Sequence, residues 1–490
     1  MRVPRKFIVP LLVGVLAAAF GGTSYVDAKS FARPSGGAAM VHRDGKVIDA
    51  KSAASAKTSW IGHTSLEPTI AIEPSGDIYV TAADWTHPAV TGGATDIVRS
   101  SDGGETWSFV TPKILDQRRQ HVTLDPYVHV DDLDGDNARI FTIDLTVACS
   151  YMSFSDDHGE SWTTNPLACG RPVNDHHTVF SGPPVNSTTI GYPNILYYCW
   201  NDVGTSSCGK SLDGGITWHP TGAPAFLGYD TQGEGEARDN LCGGLHGHGI
   251  VGPEGTVYLP REYCNRPYIS VSHDEGVTWT NYRVAKMPAS GGSDTSVAVD
   301  RKGNLYYLWL GQDDRLPYLA VSRDKGETWS KPVAVGPPQL KEANLPSIVA
   351  RGVGKIALVY YGSTNSPFRP CPEDDPDCND GANYLKTTWN GYLTISANAL
   401  DKSPTFYTGL VNDPSDPLVR QRCGPGRCYN VLDFIDVGIG PDGIAYAAFV
   451  DVCIPKGDSP CTERTPVNAW GGRGRFEGLV TRMVGGPALN

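Results

Sequence analysis

The 490-residue sequence predicts an all-β chain wound into a seven-bladed β-propeller, with six blades and an irregular C-terminal extension as the second choice. Three observations predict it. Glycine (56) and proline (37) are abundant and methionine (5) is scarce, a balance that favours turns and strands over helices. An eight-residue turn motif recurs five times without a mismatch. A strand–turn–strand unit recurs seven times at intervals of roughly 60 residues, enough for one four-stranded blade each.

The N-terminus comes first in the chain and sets the compartment. Arg2, Arg5 and Lys6 precede an apolar run over residues 7–22, and Val26-Asp27-Ala28 offers a small-residue cleavage site. That order predicts a secretory signal peptide over residues 1–28 and a secreted, extracellular or periplasmic protein. Residues 29–61 read as a leader, in which Ala39–Ile48 (AMVHRDGKVI) can add a closing strand to the last blade. The propeller then runs over residues 62–488. No other run is long enough to span a bilayer, so no membrane contact is expected after cleavage. Losing Arg2, Arg5, Lys6 and Asp27 takes the net charge from −12 to −14. This disfavours nucleic acid and acidic lipid as partners.

All twelve cysteines lie after the signal segment, an even number in an oxidising compartment. In chain order they form six neighbouring pairs: Cys149/Cys169, Cys199/Cys208, Cys242/Cys264, Cys371/Cys378, Cys423/Cys428 and Cys453/Cys461. Connectivity does not follow from sequence, but 199/208 and 149/169 bracket hairpin-like loops and read as local clips. No CxxC pair occurs, which argues against structural zinc and thioredoxin-type chemistry.

The turn motif is Ser-x-Asp-x-Gly-x-(Thr/Ser)-Trp. It occupies Ser100–Trp107, Ser155–Trp162, Ser211–Trp218, Ser272–Trp279 and Ser322–Trp329, with tryptophans 55, 56, 61 and 50 residues apart. A degenerate sixth trace sits at Ser396–Tyr407. The residue types suit a tight turn. Asp accepts backbone amides, Gly supplies a permissive backbone, and Trp packs back on the sheet. The turn explains these aspartates without catalysis.

The strand–turn–strand unit starts at Pro68, Pro126, His177, His246, Thr295, Pro346 and Ile435, and the first five copies each precede a turn motif. In such a ring the first strand of each blade lines the axis. The lead-in to that strand and the loop between strands two and three share one face, opposite the motif turns. Function is expected on that axial face. The lead-ins carry Glu67, Asp125, Asp175-His176-His177, His246 and His248, Asp294, Asn344, Asp433 and Asp436. The strand two–three loops carry Asp84, Arg261, Glu262, Tyr263, Arg266 and Asp313-Asp314-Arg315. Separately, Asp132, Asp134 and Asp136 alternate on a glycine turn and form a candidate calcium site. No other cofactor is required.

The repeated turn motif resembles the Asp-box (BNR repeat) of the sialidase-like β-propeller superfamily. That resemblance covers the whole mature chain and implies a secreted propeller that meets a carbohydrate or glycoconjugate as a monomer. Residue by residue, it implies Asp84 as acid/base, Arg261 or Arg266 and Arg315 as carboxylate-binding arginines, and Tyr360 or Tyr361 as nucleophile. The chain departs from the family in two places. The region before the first Asp-box reads SLEPTIAIEP, without the family's first arginine, and seven repeats stand where sialidases have six.

Three functions are open to such a chain. A glycoside hydrolase of another specificity needs two carboxylates, with Asp84, Asp125, Glu262 and Asp294 as candidates. A polysaccharide lyase would draw on His177, His246, His248, Tyr263 and Arg266. A glycan- or protein-binding propeller needs neither set. The glycosidase is the leading expectation, with the binder second and the lyase third.

Overall fold

Seven four-stranded antiparallel units follow one another along the chain in the computed structural model. The structure describes residues 40–490 except 50–54, 85–93, 115–116, 119–123, 135–136, 147–148, 170–173, 203, 228–230, 233–241, 243, 291–293, 367–386, 421–430 and 453–476. No helix occurs among the described residues.

Blade one comprises Leu66–Ile72, Ile78–Asp84, Ala94–Ser100 and Ser108–Phe109. Blade two comprises Leu124–Asp134, Asn137–Thr146, Cys149–Ser155 and Thr163–Leu167. Blade three comprises Asp175–Gly182, Ile195–Asn201, Ser206–Ser211 and His219–Pro220. Blade four comprises Ile250–Val251, Val257–Tyr263, Arg266–Ser272 and Thr280–Arg283, with Thr231–Gln232 added in parallel to its outer strand. Blade five comprises Ser296–Val299, Leu305–Leu310, Pro317–Ser322 and Val333–Ala334. Blade six comprises Glu342–Ala350, Ile356–Ser363, Thr388–Ser396 and Phe406–Leu410. Blade seven comprises Asp436–Ile439, Ala445–Asp451, Glu477–Val484 and, outermost, Ser55–Thr64 from near the N-terminus.

The expected seven blades are therefore present. The closing strand is not the expected segment. Ser55–Thr64 pairs with Glu477–Val484 and shuts the ring. Met40–Arg43 instead pairs with Phe406–Leu410, the outer strand of blade six, and turns back through Lys46–Asp49. Lys46–Asp49 is exposed at every position, as a hairpin outside the core must be. Ala39–Ile48 was expected on the last blade, and its Met40–Arg43 part forms a strand on blade six instead.

Blades pack face to face, so each second strand is buried on both sides. Ile195–Asn201 (ILYYCWN) and Leu305–Leu310 (LYYLWL) are buried at every position. Such strands read as unbroken apolar runs rather than alternating ones. Apolar clusters fill the gaps between neighbouring blades, for example Leu308, Leu319, Leu358 and Tyr360 between blades five and six. Each fully buried leucine there contributes about 1.5–3 kcal/mol.

The five Asp-boxes all lie between strands three and four. In blade three, Asp213 accepts the Thr217 amide (2.8 Å) and the Thr217 hydroxyl (2.6 Å), and Ser211 accepts the Gly215 amide (2.8 Å). The same bonds recur around Asp102, Asp157, Asp274 and Asp324. Each box needs two successive left-handed residues, as at Gly214 (φ 71°) and Gly215 (φ 94°). A Cβ on Gly215 would meet Met152 Cε at 2.9 Å. The degenerate sixth trace keeps the role with a neutral side chain. Asn398 Oδ1 accepts the Thr405 amide (2.9 Å) and the Ser396 hydroxyl (3.2 Å).

Three of the six expected disulfides fall within the described residues, and all three form: Cys149–Cys169, Cys199–Cys208 and Cys242–Cys264. The other three pairs, and the signal segment, lie outside the described residues. No helix among the described residues is long and apolar enough to cross a membrane.

Candidate functional site

The axial face is built by one irregularity used repeatedly. The first strands of blades one, two, three and six each carry a register shift near their start: Leu66/Thr69, Leu124/Tyr127, Asp175/Thr178 and Asn344/Ser347. In each, a non-glycine residue adopts positive φ: Glu67 (51°), Asp125 (51°), His176 (46°) and Leu345 (51°). That conformation costs about 1–2 kcal/mol per residue. A bulge of this kind re-aims a side chain. Here it presents Glu67, Asp125 and His176 to their neighbours across the axis.

These side chains are linked blade to blade. Glu67 Oε2 accepts the Asp125 amide (3.0 Å), and Asp125 Oδ2 accepts the His176 amide (2.9 Å). Glu67 Oε1 accepts the Asp433 amide from blade seven (3.2 Å). The His176 ring then sits between two more carboxylates. Nδ1 lies 2.8 Å from Asp294 Oδ2, and Nε2 lies 3.6 Å from Asp433 Oδ2. Asp175 Oδ1 is 3.2 Å from the His176 amide. Five carboxylates from blades one, two, three, five and seven thus surround one imidazole. Among the described residues, Glu67, Asp125, Asp175 and Asp294 have no Lys or Arg partner within ion-pair distance.

The electrostatics follow. Burial pushes Glu67 well above the usual carboxylate range, and Asp125 and Asp433 push it further. Burial raises Asp125 to about 7 against the pull of His176, with Asp175 and Asp433 adding repulsion. Asp294 is raised by burial despite His176. Burial alone would neutralise His176, but Asp294, then Asp433 and Asp125, lift it well above its ordinary value.

Below the mouth a cavity of roughly 240 Å³ follows the axis, lined by the first strands and their lead-ins, including Tyr127, His129, His248, Ser347 and Asp436. Phe434 stands between the two spaces. Its ring meets His176 edge-on at 6.3 Å and His248 at 5.4 Å.

The structure gathers Glu67, Asp125, Asp175, Asp294 and Asp433 around His176; all six are lead-in residues of the axial map, and of them only Asp125 and Asp294 were catalytic candidates. The remaining sequence candidates are distributed differently. His177 points the other way from His176. Its Nδ1 meets Ser150 Oγ (2.7 Å) and its Nε2 the Asp125 carbonyl (2.7 Å), and burial lowers it to about 4. His246 Nδ1 lies 2.9 Å from the Gly247 carbonyl oxygen, and burial lowers the ring to about 3. His248 packs 4.3 Å from Tyr127 and is likewise lowered to about 3 by burial.

Arg261 is fully buried. Its Nη2 donates to the Gly244 carbonyl, its guanidinium lies 5.2 Å from the Phe226 ring, and burial lowers it to about 10. Tyr263 is buried in the apolar cluster between blades three and four. Glu262 and Arg266 are half-buried in the hairpin that pairs Tyr263 with Arg266. Asp84 is buried at the end of its strand, and the loop after it lies outside the described residues.

The residues that the family resemblance proposed for Arg and Tyr roles are engaged elsewhere. Arg315 pairs with buried Glu342, tying blade five to blade six. The Tyr361 hydroxyl donates to the Val450 carbonyl (2.8 Å) and accepts the Val450 amide (2.9 Å), tying blade six to blade seven. Tyr360 stacks on Tyr392 at 5.3 Å.

On the candidate calcium turn, Asp132 is exposed, Asp134 pairs with Asn137 in the strand ladder, and Asp136 lies outside the described residues. The turn is on the Asp-box face. Its neighbour Asp131 is buried and accepts Ser181 (2.6 Å), Tyr192 (2.6 Å) and Asn194 (2.9 Å).

No family model matches the chain, and no curated protein matches it. Solved structures do. A protein of unknown function from Dyadobacter fermentans DSM 18053 is 13% identical with a TM-score of 0.40, over 86% of this chain and 95% of its own. The endosialidase of phage phi92 is 14% identical with a TM-score of 0.44, over 88% of this chain and 69% of its own. An α-L-arabinofuranosidase from Fusarium graminearum is 13% identical with a TM-score of 0.40, over 78% of this chain and 98% of its own. The chain is thus distantly similar in structure to sialidases and to another glycosidase.

Proposed function

We propose that the protein is a secreted glycan-active hydrolase with its site at the axial mouth. The observation that supports this is the arrangement of carboxylates there in two ranks. Glu67 and Asp125 are almost fully buried, while the Asp294 side chain keeps 17% of its surface open and Asp175 is half-buried. Glycoside hydrolysis calls for two carboxyl groups that reach the substrate from different sides. Asp294 from blade five and Asp175 from blade three are assigned these roles, with the His176 ring 2.8 Å from Asp294 fixing it in place. The substrate is a carbohydrate or glycoconjugate chain laid across the axial face.

The test is a panel of sialosides, neutral glycans and uronate polymers incubated with the mature protein. New reducing ends without unsaturated products are expected. Unsaturated products would instead favour a lyase, and silence across the panel with retained glycan binding would favour a binding propeller. Asp294→Asn should abolish the reducing ends.

A further inference from the structure

We propose that the rear rank of the axial mouth is a divalent-cation site, with Glu67, Asp125, Asp433 and His176 Nε2 as ligands. One carboxylate oxygen each from Glu67, Asp125 and Asp433 lies within 4.8 Å of the others, and Asp125, Asp175 and His176 form a second such group. The two groups share Asp125 and so adjoin, and the His176 Nε2 lies 3.6 Å from Asp433 of the first group.

An acidic cluster alone would be weak ground. The imidazole is the independent observation. His176 is 6% exposed, and its Nε2 has no hydrogen-bond partner. That nitrogen faces the Asp433 carboxylate at 3.6 Å, beyond hydrogen-bond reach. Its other nitrogen, Nδ1, is held by Asp294 at 2.8 Å. A carboxylate on one ring nitrogen, fixing the tautomer and leaving the other nitrogen for an ion, is how metal-binding histidines are oriented. The strained backbone at Glu67, Asp125 and His176 serves the same end, since it turns each of these side chains toward a neighbouring blade. A divalent ion would also add positive charge beside Glu67 and Asp125, which have no Lys or Arg partner among the described residues.

Three carboxylates and one imidazole make a mixed oxygen–nitrogen set. Zn²⁺ or Mn²⁺ fits this set better than Ca²⁺, which favours six to eight oxygens. Asp294 is then a positioning residue for the ion as well as a group that reaches substrate. The proposal shares its location with the hydrolase reading but does not depend on turnover.

The experiment is calorimetric titration of chelator-treated mature protein with ZnCl₂, MnCl₂ and CaCl₂, without any glycan. One Zn²⁺ or Mn²⁺ per chain is expected, with affinity weakened roughly 10–100-fold in Asp294→Asn, as for other outer partners of metal-binding histidines. Asp125→Asn and His176→Gln should weaken it at least as much, and Asp132→Asn should leave it unchanged. X-ray absorption at the metal edge of the wild-type protein should show one nitrogen among oxygens, which decides the matter even if a variant does not fold. Absence of stoichiometric binding, an all-oxygen shell, or loss of binding in Asp132→Asn would each overturn the proposal. A protein that binds the ion yet cleaves no glycan would sink only the hydrolase reading. One that cleaves glycans without an ion would sink only this inference.

Discussion

The Asp-box turns and the axial mouth stand at opposite ends of the same strands and treat charge in opposite ways. At the Asp-box face each aspartate is satisfied within its own eight residues, by two backbone amides or a hydroxyl close in sequence. Further carboxylates buried there have donors of their own, as Asp131 has Ser181, Tyr192 and Asn194. Arg99 bonds Asp77 (2.6 Å), and His158 meets Glu73 (2.8 Å). At the axial mouth five carboxylates from five blades share one histidine, and the bonds between them span 50 residues or more. The fastenings differ as well. All three described disulfides join segments at the axial-face end of the strands, such as Cys199 and Cys208 beside the loop between strands two and three of blade three. The comparison teaches that repetition with local satisfaction marks structure here. Convergence of unlike residues with unbalanced charge is the ground on which the proposed site is placed.

Substitutions at the two ends should therefore separate activity from stability. The largest effect expected is on catalysis. Asp294→Asn should lower glycan hydrolysis by about 10²–10⁴-fold, as loss of an acid–base group does, with little change in melting temperature. A similar loss of activity from an Asp-box variant would break the comparison. Next comes the axial-face clip. Replacing Cys199 and Cys208 together by serine opens a bridge of sequence separation 9. Denaturant titration should show a loss of about 2–3 kcal/mol.

Asp213→Ala should cost about 2 kcal/mol by the same measurement, because charge-assisted hydrogen bonds in the turn are lost. Its glycan hydrolysis should match wild type.

The pH dependence should have opposite sign at different places. Burial first of all raises Asp436, in the axial cavity, to about 6, although the Val437 and Ile70 amides and the Ser347 hydroxyl oppose it. A raised acid gives stability that is full below the unfolded value and lost as pH rises through the folded one. Asp436→Asn should therefore stabilise the fold by about 1–2 kcal/mol at pH 8 and leave it unchanged at pH 4, as read from melting curves. Asp157 is the reverse case. The Ser161 hydroxyl, then the Ser161 amide, hold it below the usual carboxylate range. Its contribution is present above the unfolded value and lost as pH falls through the folded one. Asp157→Asn should be nearly neutral at pH 7, as Asn398 already serves in blade six. It should flatten the decline of melting temperature below pH 4. An unchanged acid limb would mean that the box carboxylates do not govern acid stability.

The five exact Asp-boxes and the seven strand pairs carried the fold openly, because each blade repeats a short-range solution. Asp125 and Asp294 were also within reach of sequence reasoning, through their position before first strands. His176 was harder to select. It neighbours His177, and strand alternation gives no reason to prefer one over the other. The bulge between Asp175 and Thr178 decides it, turning His176 to the axis while His177 bonds Ser150 and Asp125. Asp433 and Glu67 gave only the signal of a polar residue before an apolar strand. The closing strand was missed for a related reason, since pairing partners at a blade edge are set by ring closure rather than by local pattern.

What the sequence determined by itself is whatever a few neighbouring residues settle: turn chemistry, strand spacing and blade number. What only the tertiary structure decided is which charges meet. Glu67 and Asp433 are 366 residues apart in the chain, yet one binds the other's backbone amide. That contact exists because the ring brings its first and last blades side by side, and no local pattern records it.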